Sequence, residues 1–297
     1  MPEPVIIVTG ANGQLGKEIR DLADQYNQFH FIFLSKEDLP IEQFEKVQQY
    51  FEKVKPAYCI NCAAYTAVDK AETEMAAAML INGDAAGVMA KVCSSFNTKF
   101  IHISTDYVFD GTATVPYKED HITNPVNYYG ATKLRGEQLC AENNDQCIII
   151  RTSWVYSEYG NNFVKTMIRL MKERVSLNIV NDQVGTPTAA ADLGKVMLDI
   201  IAGTQKDSAN WVPGIYHFSN EGIISWYDFA VAIKTLTSSN CVINPIPTSS
   251  YPTAAKRPAY TAFNKDKIKS TWHIDIADWK TSLSAITDRL MQQHSGN

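Results

Sequence analysis

The chain has 297 residues, 45% of them hydrophobic, which is enough to bury a large core in one or two domains. Its net charge of -5 and the lack of any Lys/Arg-rich run remove the electrostatic basis for binding a polyanion, so nucleic acid is not an expected partner. The first residues, MPEPVIIVTG, carry an acid and no basic leader, and no apolar run approaches the ~18 residues that span a bilayer, so a cytoplasmic protein with no membrane partner is expected.

Residues 4–9 form a β-branched run that leads into Gly10-Ala-Asn-Gly13-Gln14-Leu15-Gly16 and a helical pattern over about 17–26. This is strand, glycine turn, helix. Gly10 permits the tight turn, Gly13 lets backbone approach a pyrophosphate and Gly16 allows close helix packing, with free N–H groups and the helix dipole aimed at the phosphates. The expected ligand is a dinucleotide. A second strand, 29–34, ends at Ser35 and Lys36. A small residue followed by a cation suits the 2′-phosphate of NADPH, whereas Glu37 and Asp38 follow at once and could reach the ribose of NADH. Lys36 reads equally well as a charge on a solvated turn.

A helix over 41–54 and a strand over 57–62 come next. The small residues after that strand place Ala64, Tyr65 and Thr66 beyond its carboxyl end, where ligands of open α/β sheets lie. An alanine-rich helix over 76–95 and a strand over 99–104 then deliver Thr105 to the same edge. This alternation implies α/β architecture, a doubly wound parallel sheet of the Rossmann type. A further strand over 146–155 ends near Trp154 and Tyr156. Beyond Gly160 the texture changes: a helix over 162–173, DQVGTPTAAADLG entering another helix, a strand over 215–218, and Ser225 capping a helix at Asp228. The expected division is a nucleotide-binding domain over 1–156 and a smaller, mixed, mainly substrate-binding domain over 157–297, with segments around 180–220 returning to the first. The proline-rich 245–258 stretch ends in Lys256 and Arg257, cations that could face a substrate diphosphate or only water.

The chemistry is expected between His102 and Lys133. Tyr129 and Lys133, four residues apart, share one helix face. A phenol titrates near ~10, so using it as a proton donor at neutral pH calls for a nearby cation to stabilise its phenolate, and Lys133 is the basic residue correctly spaced. The Thr105 hydroxyl, arriving from a strand end, could hold a substrate carbonyl against the tyrosine. The six cysteines are scattered through apolar segments as reduced thiols. Cys59 and Cys62 have Cys-x-x-Cys spacing but fall in a strand that sends its ends to opposite faces, so no metal site is expected there.

Read together, VTGANGQLG, NCAAYTAVDKAE, HISTDYVFDG, YYGATKLRGE, RTSWVY, NNFVKTM, DQVGTPT and GIYHFSNEGIISWYDFA resemble the dTDP-4-dehydrorhamnose reductases, a branch of the extended short-chain dehydrogenase/reductase superfamily, almost from end to end. The resemblance implies NAD(P)H-dependent reduction of the C4 ketone of dTDP-4-dehydro-6-deoxy-L-mannose to dTDP-L-rhamnose, a dTDP-sugar substrate, and a catalytic set of Thr105, Tyr129 and Lys133. It assigns Gly13, Gln14, Leu15, Ala64, Tyr65, Thr66, Tyr129 and Lys133 to the cofactor, with Asp38 and Leu39 at the adenine, beside the Gly10, Gly16 and Lys36 already read from the glycine turn and the second strand, and Thr105, Asp106 and Trp154 to the sugar. Two departures stand out. Pro40 interrupts the acidic turn after the second strand, which bears on Asp38 and Leu39. Some members form a magnesium-bridged homodimer through acids near the glycine helix and after a GTPT-like turn; here the second position reads Ala189-Ala-Ala-Asp192, with Glu18 in the first, which argues against a metal bridge. Rival readings are a nucleotide-sugar epimerase or dehydratase on the same fold, and a non-catalytic subunit resembling the methionine adenosyltransferase β subunit. In the dehydratase pattern an acid pair follows the threonine, but Thr105-Asp106 is followed by Tyr107.

Overall fold

The computed structural model describes residues 3–295. The chain runs β1 (Val5–Thr9), α1 (Gln14–Leu22), β2 (His30–Leu34), α2 (Phe44–Val54), β3 (Tyr58–Asn61), a helical stretch from Met75 ending in α3 (Ala85–Ser95), β4 (Lys99–Thr105), α4 (Tyr128–Asn143) and β5 (Cys147–Thr152). After these come α5 (Phe163–Glu173), β6 (Ser176–Val180), α6 (Ala190–Lys206), β7 (Gly214–His217), α7 (Trp226–Leu236), β8 (Val242–Ile246), α8 (Asp266–Trp272) and α9 (Trp279–Ser295).

The central sheet has the order β7-β5-β4-β3-β1-β2, parallel throughout. Strands such as β5 (CIIIRT, buried at every position) are covered on both faces, which is why they read as continuous apolar runs instead of alternating ones. One face packs on α1 and α6, the other on α2, α3 and α4. A separate apolar cluster joins α5, α7 and α9 to β6, and β6 pairs in parallel with β8. The chain crosses between these regions more than once: α6 lies under β1, and β7 is the edge strand beside β5.

Two local features differ from the sequence expectation. The stretch Met75–Ser95 is long and apolar enough, by length and composition alone, to cross a membrane, contrary to the reading that no run qualifies. It is a core helix here, with Ala85, Ala86, Met89, Ala90 and Cys93 wholly buried against the sheet and α4. Nor is it one regular helix, because Leu80–Asp84 forms a π turn. Asn82 lies within that turn, and its side chain reaches the loop after β3, where its Oδ1 accepts from the Tyr65 N–H at 2.9 Å and its Nδ2 donates to the Tyr65 carbonyl at 3.0 Å.

Candidate active site

At the carboxyl ends of β1, β3 and β4 opens a cavity of about 830 Å³. Its floor is the glycine turn. Gly10 has φ +65°, and a side chain there would meet the Ala63 backbone nitrogen at 2.6 Å, so this crossing of the β1 and β3 ends requires glycine. The first residues of α1 follow with no side-chain cap on their N–H groups, and Gly13, Gln14, Leu15 and Gly16 line the cavity. Ala64, Tyr65 and Thr66 form one side, held by Asn82 from behind.

The opposite wall comes from β4 and α4. Asn127 caps α4 by accepting from the Gly130 N–H at 2.8 Å. Gly130 sits so close to the loop after β4 that a Cβ would lie 2.2 Å from the Tyr107 carbonyl oxygen. This close approach carries Tyr129 to the β4 end, where its ring meets Tyr107 edge-on at 5.7 Å. Thr105 accepts from the Tyr107 N–H (3.2 Å) and donates to Asp106 (3.0 Å), and it lines the cavity together with Tyr129. One turn further on, Lys133 is 2% exposed, and its ammonium donates to the Ile103 carbonyl at 2.6 Å.

Burial governs the electrostatics. It pushes the Tyr129 phenol above its ordinary value, with the Asp106 charge adding to the rise and Thr105 opposing it. The same cause brings Lys133 down to about 8, against small upward pulls from Cys140 and Glu137. Desolvation of the phenolate is the largest of these influences on Tyr129 in the protein alone. Asp106 is pushed up to about 6 by burial, against hydrogen bonds from Thr261, Thr105 and backbone.

Trp154 forms the far wall with a left-handed backbone (φ 48°), unusual for a bulky residue and held by stacking on Trp226 at 3.6 Å and 11°. Sequence reading singled out Trp154 but not Trp226, which looked like the first residue of a capped helix and nothing more. Also missed were Ser153, Gly160 and Asn161, which line the same wall.

At the β2 end the residues part company. Lys36 and Leu39 line the cavity; Lys36 is largely exposed, with its Nζ 3.8 Å from Glu42. Asp38 does not line it: its carboxylate turns back to accept from the Ser35 N–H (2.9 Å) and hydroxyl (2.7 Å), closing the turn that Pro40 ends. Arg257 also lies outside the cavity wall and is paired with Asp69 at 2.8 Å.

A metal fits poorly at the acids near α1. Glu18, Asp21 and Glu158 bring carboxylate oxygens within 4.8 Å of one another, but the Arg289 guanidinium stands 2.8 Å from Glu158 and 3.6 Å from Glu18, supplying a cation from the chain itself. Asp192, the acid that the family pattern would add, has its carboxylate engaged by Asn220 at 2.6 Å and Ser282 at 2.5 Å, from both of which it accepts.

A parallel sheet with a glycine turn at one carboxyl end and a buried Tyr-x-x-x-Lys pair at another defines a dinucleotide-dependent oxidoreductase of the short-chain dehydrogenase/reductase class. Residues 4–292 match the family model described as RmlD substrate binding domain, and the chain is 39% identical over 291 residues to the dTDP-4-dehydrorhamnose reductase of Aggregatibacter actinomycetemcomitans, spanning 95% of this chain and 97% of that one. The chain belongs to the dTDP-4-dehydrorhamnose reductase family. Among solved structures, the reductase of Clostridium acetobutylicum superimposes with a TM-score of 0.91 at 41% identity, covering 97% of this chain and 99% of that one. The Bacillus anthracis reductase in complex with NADP gives a TM-score of 0.91 at 38% identity, covering 97% and 100%.

Proposed function

We propose that this protein uses NADPH, with NADH as a weaker substitute, to reduce the C4 ketone of dTDP-4-dehydro-6-deoxy-L-mannose to dTDP-L-rhamnose. The observation that carries the reading is the meeting of Thr105, Tyr129, Lys133 and Trp154 around one cavity floored by the glycine turn, in a chain of this family. When bound, the nicotinamide supplies the hydride that C4 receives. Tyr129 gives its proton to the C4 oxygen as negative charge develops there; a phenol raised by burial keeps that proton until the alkoxide forms. The Thr105 hydroxyl holds the same oxygen in line. Lys133, anchored on the Ile103 carbonyl, stabilises the phenolate left behind. Asp106 accepts from a sugar hydroxyl, and Trp154 lies as an apolar wall against the ring.

A dehydratase needs an acid where Tyr107 stands, and Tyr107 spends its ring on Tyr129, which disfavours that reading. The test is to incubate the protein with NADPH and enzymatically generated dTDP-4-dehydrorhamnose and identify the product by NMR. Stoichiometric NADPH loss with formation of dTDP-L-rhamnose is expected. No NADPH oxidation, or a product of opposite C4 configuration, refutes the proposal.

A further inference from the structure

Behind Lys133 a chain of buried polar groups crosses three adjacent strands, and the steps above make no use of it. Thr9 ends β1, Asn61 ends β3 and His102 lies in β4; the strand register sets Thr9 beside Asn61 and Asn61 beside His102. All three are essentially inaccessible, so each of their hydrogens needs a definite place. Asn61 Oδ1 accepts from the Thr9 hydroxyl at 2.6 Å and from the Ala63 backbone N–H at 3.2 Å. A backbone N–H can only donate, so this amide cannot be turned over, and its NH₂ group must face His102 Nδ1, 3.1 Å away. Nδ1 is therefore an acceptor. Burial holds the ring neutral, and a neutral imidazole that accepts at Nδ1 carries its proton on Nε2. Nε2 is the atom 3.5 Å from Lys133 Nζ.

We infer that Thr9, Asn61 and His102 form a tautomer lock that aims an N–H, not a lone pair, at Lys133, making His102 a positioning residue that favours the uncharged amine and eases passage of the lysine proton towards Tyr129. The inference rests on the reading of Tyr129 and Lys133 as acid and partner. A lone pair on Nε2 would give the ammonium a second acceptor beside the Ile103 carbonyl and hold its proton in place; an N–H presents the positive end of a dipole instead. The other titratable groups facing Lys133 oppose this only in part, Glu137 and Cys140 pulling its proton affinity up while burial leads it down. On its own helix, Glu137 spends its carboxylate on Arg151 at 2.7 and 2.9 Å and the Cys140 thiol donates to the Ala86 carbonyl at 3.4 Å; Asp106, at the end of β4, acts on Tyr129. The lowered proton affinity of Lys133, caused first by burial, agrees in direction.

Two measurements test the lock. In protein labelled with ¹⁵N-histidine, long-range ¹H–¹⁵N correlations, assigned by the signal lost in His102→Phe, should show His102 with Nε2 protonated and Nδ1 bare. The alkaline limb of the kcat/KM profile should then move up by about one pH unit in Asn61→Asp, whose carboxylate accepts a proton on Nδ1 and leaves the lone pair on Nε2. In the Asn61→Asp/His102→Phe double variant that increment, measured from His102→Phe alone, should vanish. An Nδ1-protonated ring in the wild type overturns the inference without any variant having to fold. So does an unmoved limb in Asn61→Asp, or an undiminished increment in the double variant, which would assign the shift to the added charge. Full turnover in Tyr129→Phe would refute the acid reading instead, and leaves the tautomer result standing as a separate outcome.

Discussion

Replacing Glu18 by glutamine should stabilise the protein above neutral pH. The Glu18 side chain is 1% exposed, its nearest cation is Arg289 at 3.6 Å, and its Oε1 has no hydrogen-bond partner among the described residues. Burial pushes its carboxyl up from 4.5 to about 7; Arg289 opposes that rise, while Glu158, Asp21 and Asp192 add to it. The folded state thus holds the Glu18 proton more tightly than the unfolded chain does. Between those two values the folded state binds more protons, and stability falls as pH rises across the window. A shift of that size, in which the opposing pull of Arg289 is already included, corresponds to a ceiling of about 3 kcal/mol once both states are ionised, with about 1–3 kcal/mol a realistic gain because the buried glutamine amide also needs hydrogen-bond partners. Urea unfolding followed by tryptophan fluorescence at pH 5 and pH 8 measures it. The variant should match or slightly trail the wild type at pH 5 and exceed it at pH 8, and magnesium should leave the wild-type midpoint unchanged because Arg289 already stands among the acids. A Glu18→Gln protein less stable at pH 8 than at pH 5, relative to wild type, would show that the ionised carboxylate is a net asset and refute the reasoning.

Tyr129→Phe should keep the ring and NADPH affinity, read by quenching of protein fluorescence, while turnover drops by about two to four orders of magnitude with loss of the general acid; turnover within tenfold of wild type would remove Tyr129 from the chemistry. Lys36→Ala should lower the NADPH/NADH ratio of kcat/KM several-fold at low salt and less at high salt, because an exposed pair with a 2′-phosphate is screened; an unchanged ratio makes Lys36 a solvated charge. Asn82→Ala should raise the KM for NADPH and destabilise the fold by about 1 kcal/mol, since it strips side-chain partners from both backbone groups of Tyr65 in a partly buried loop; a loss of stability with no change in KM would show that the clamp has no bearing on the cofactor.

The parts of this protein that were legible in its sequence are those set by local spacing. A four-residue interval on a helix brings Tyr129 and Lys133 to one face wherever that helix lies, and the glycine turn carries its own backbone requirement at Gly10. The β6–β8 pair was not legible: β6 is only five residues between a helix end and a turn, and Pro245 lies within β8, opposite Ile179, where proline normally argues against a strand. It is tolerated because the pair has only two strands, so a missing N–H breaks no ladder on a further side. Asp38 illustrates a different limit. Its position after β2 places it near the cavity, but which way its carboxylate turns depends on Ser35, whose hydroxyl and N–H capture it within three residues.

The Thr9–Asn61–His102 chain shows the same limit at long range. Each residue reads alone as a polar group in a buried strand; only the register of β1, β3 and β4 makes them neighbours, and register across crossovers is fixed by the packing of whole helices. The proton affinity of the Tyr129 phenol escapes a sequence reading for a related reason. Spacing identifies which cation stands beside the phenol, whereas the proton affinity follows from how much water the assembled walls exclude, and those walls come from residues as distant as Trp154 and Tyr107. Proximity is a property of a segment and desolvation of the whole fold, so a motif can be located from sequence while its acidity cannot.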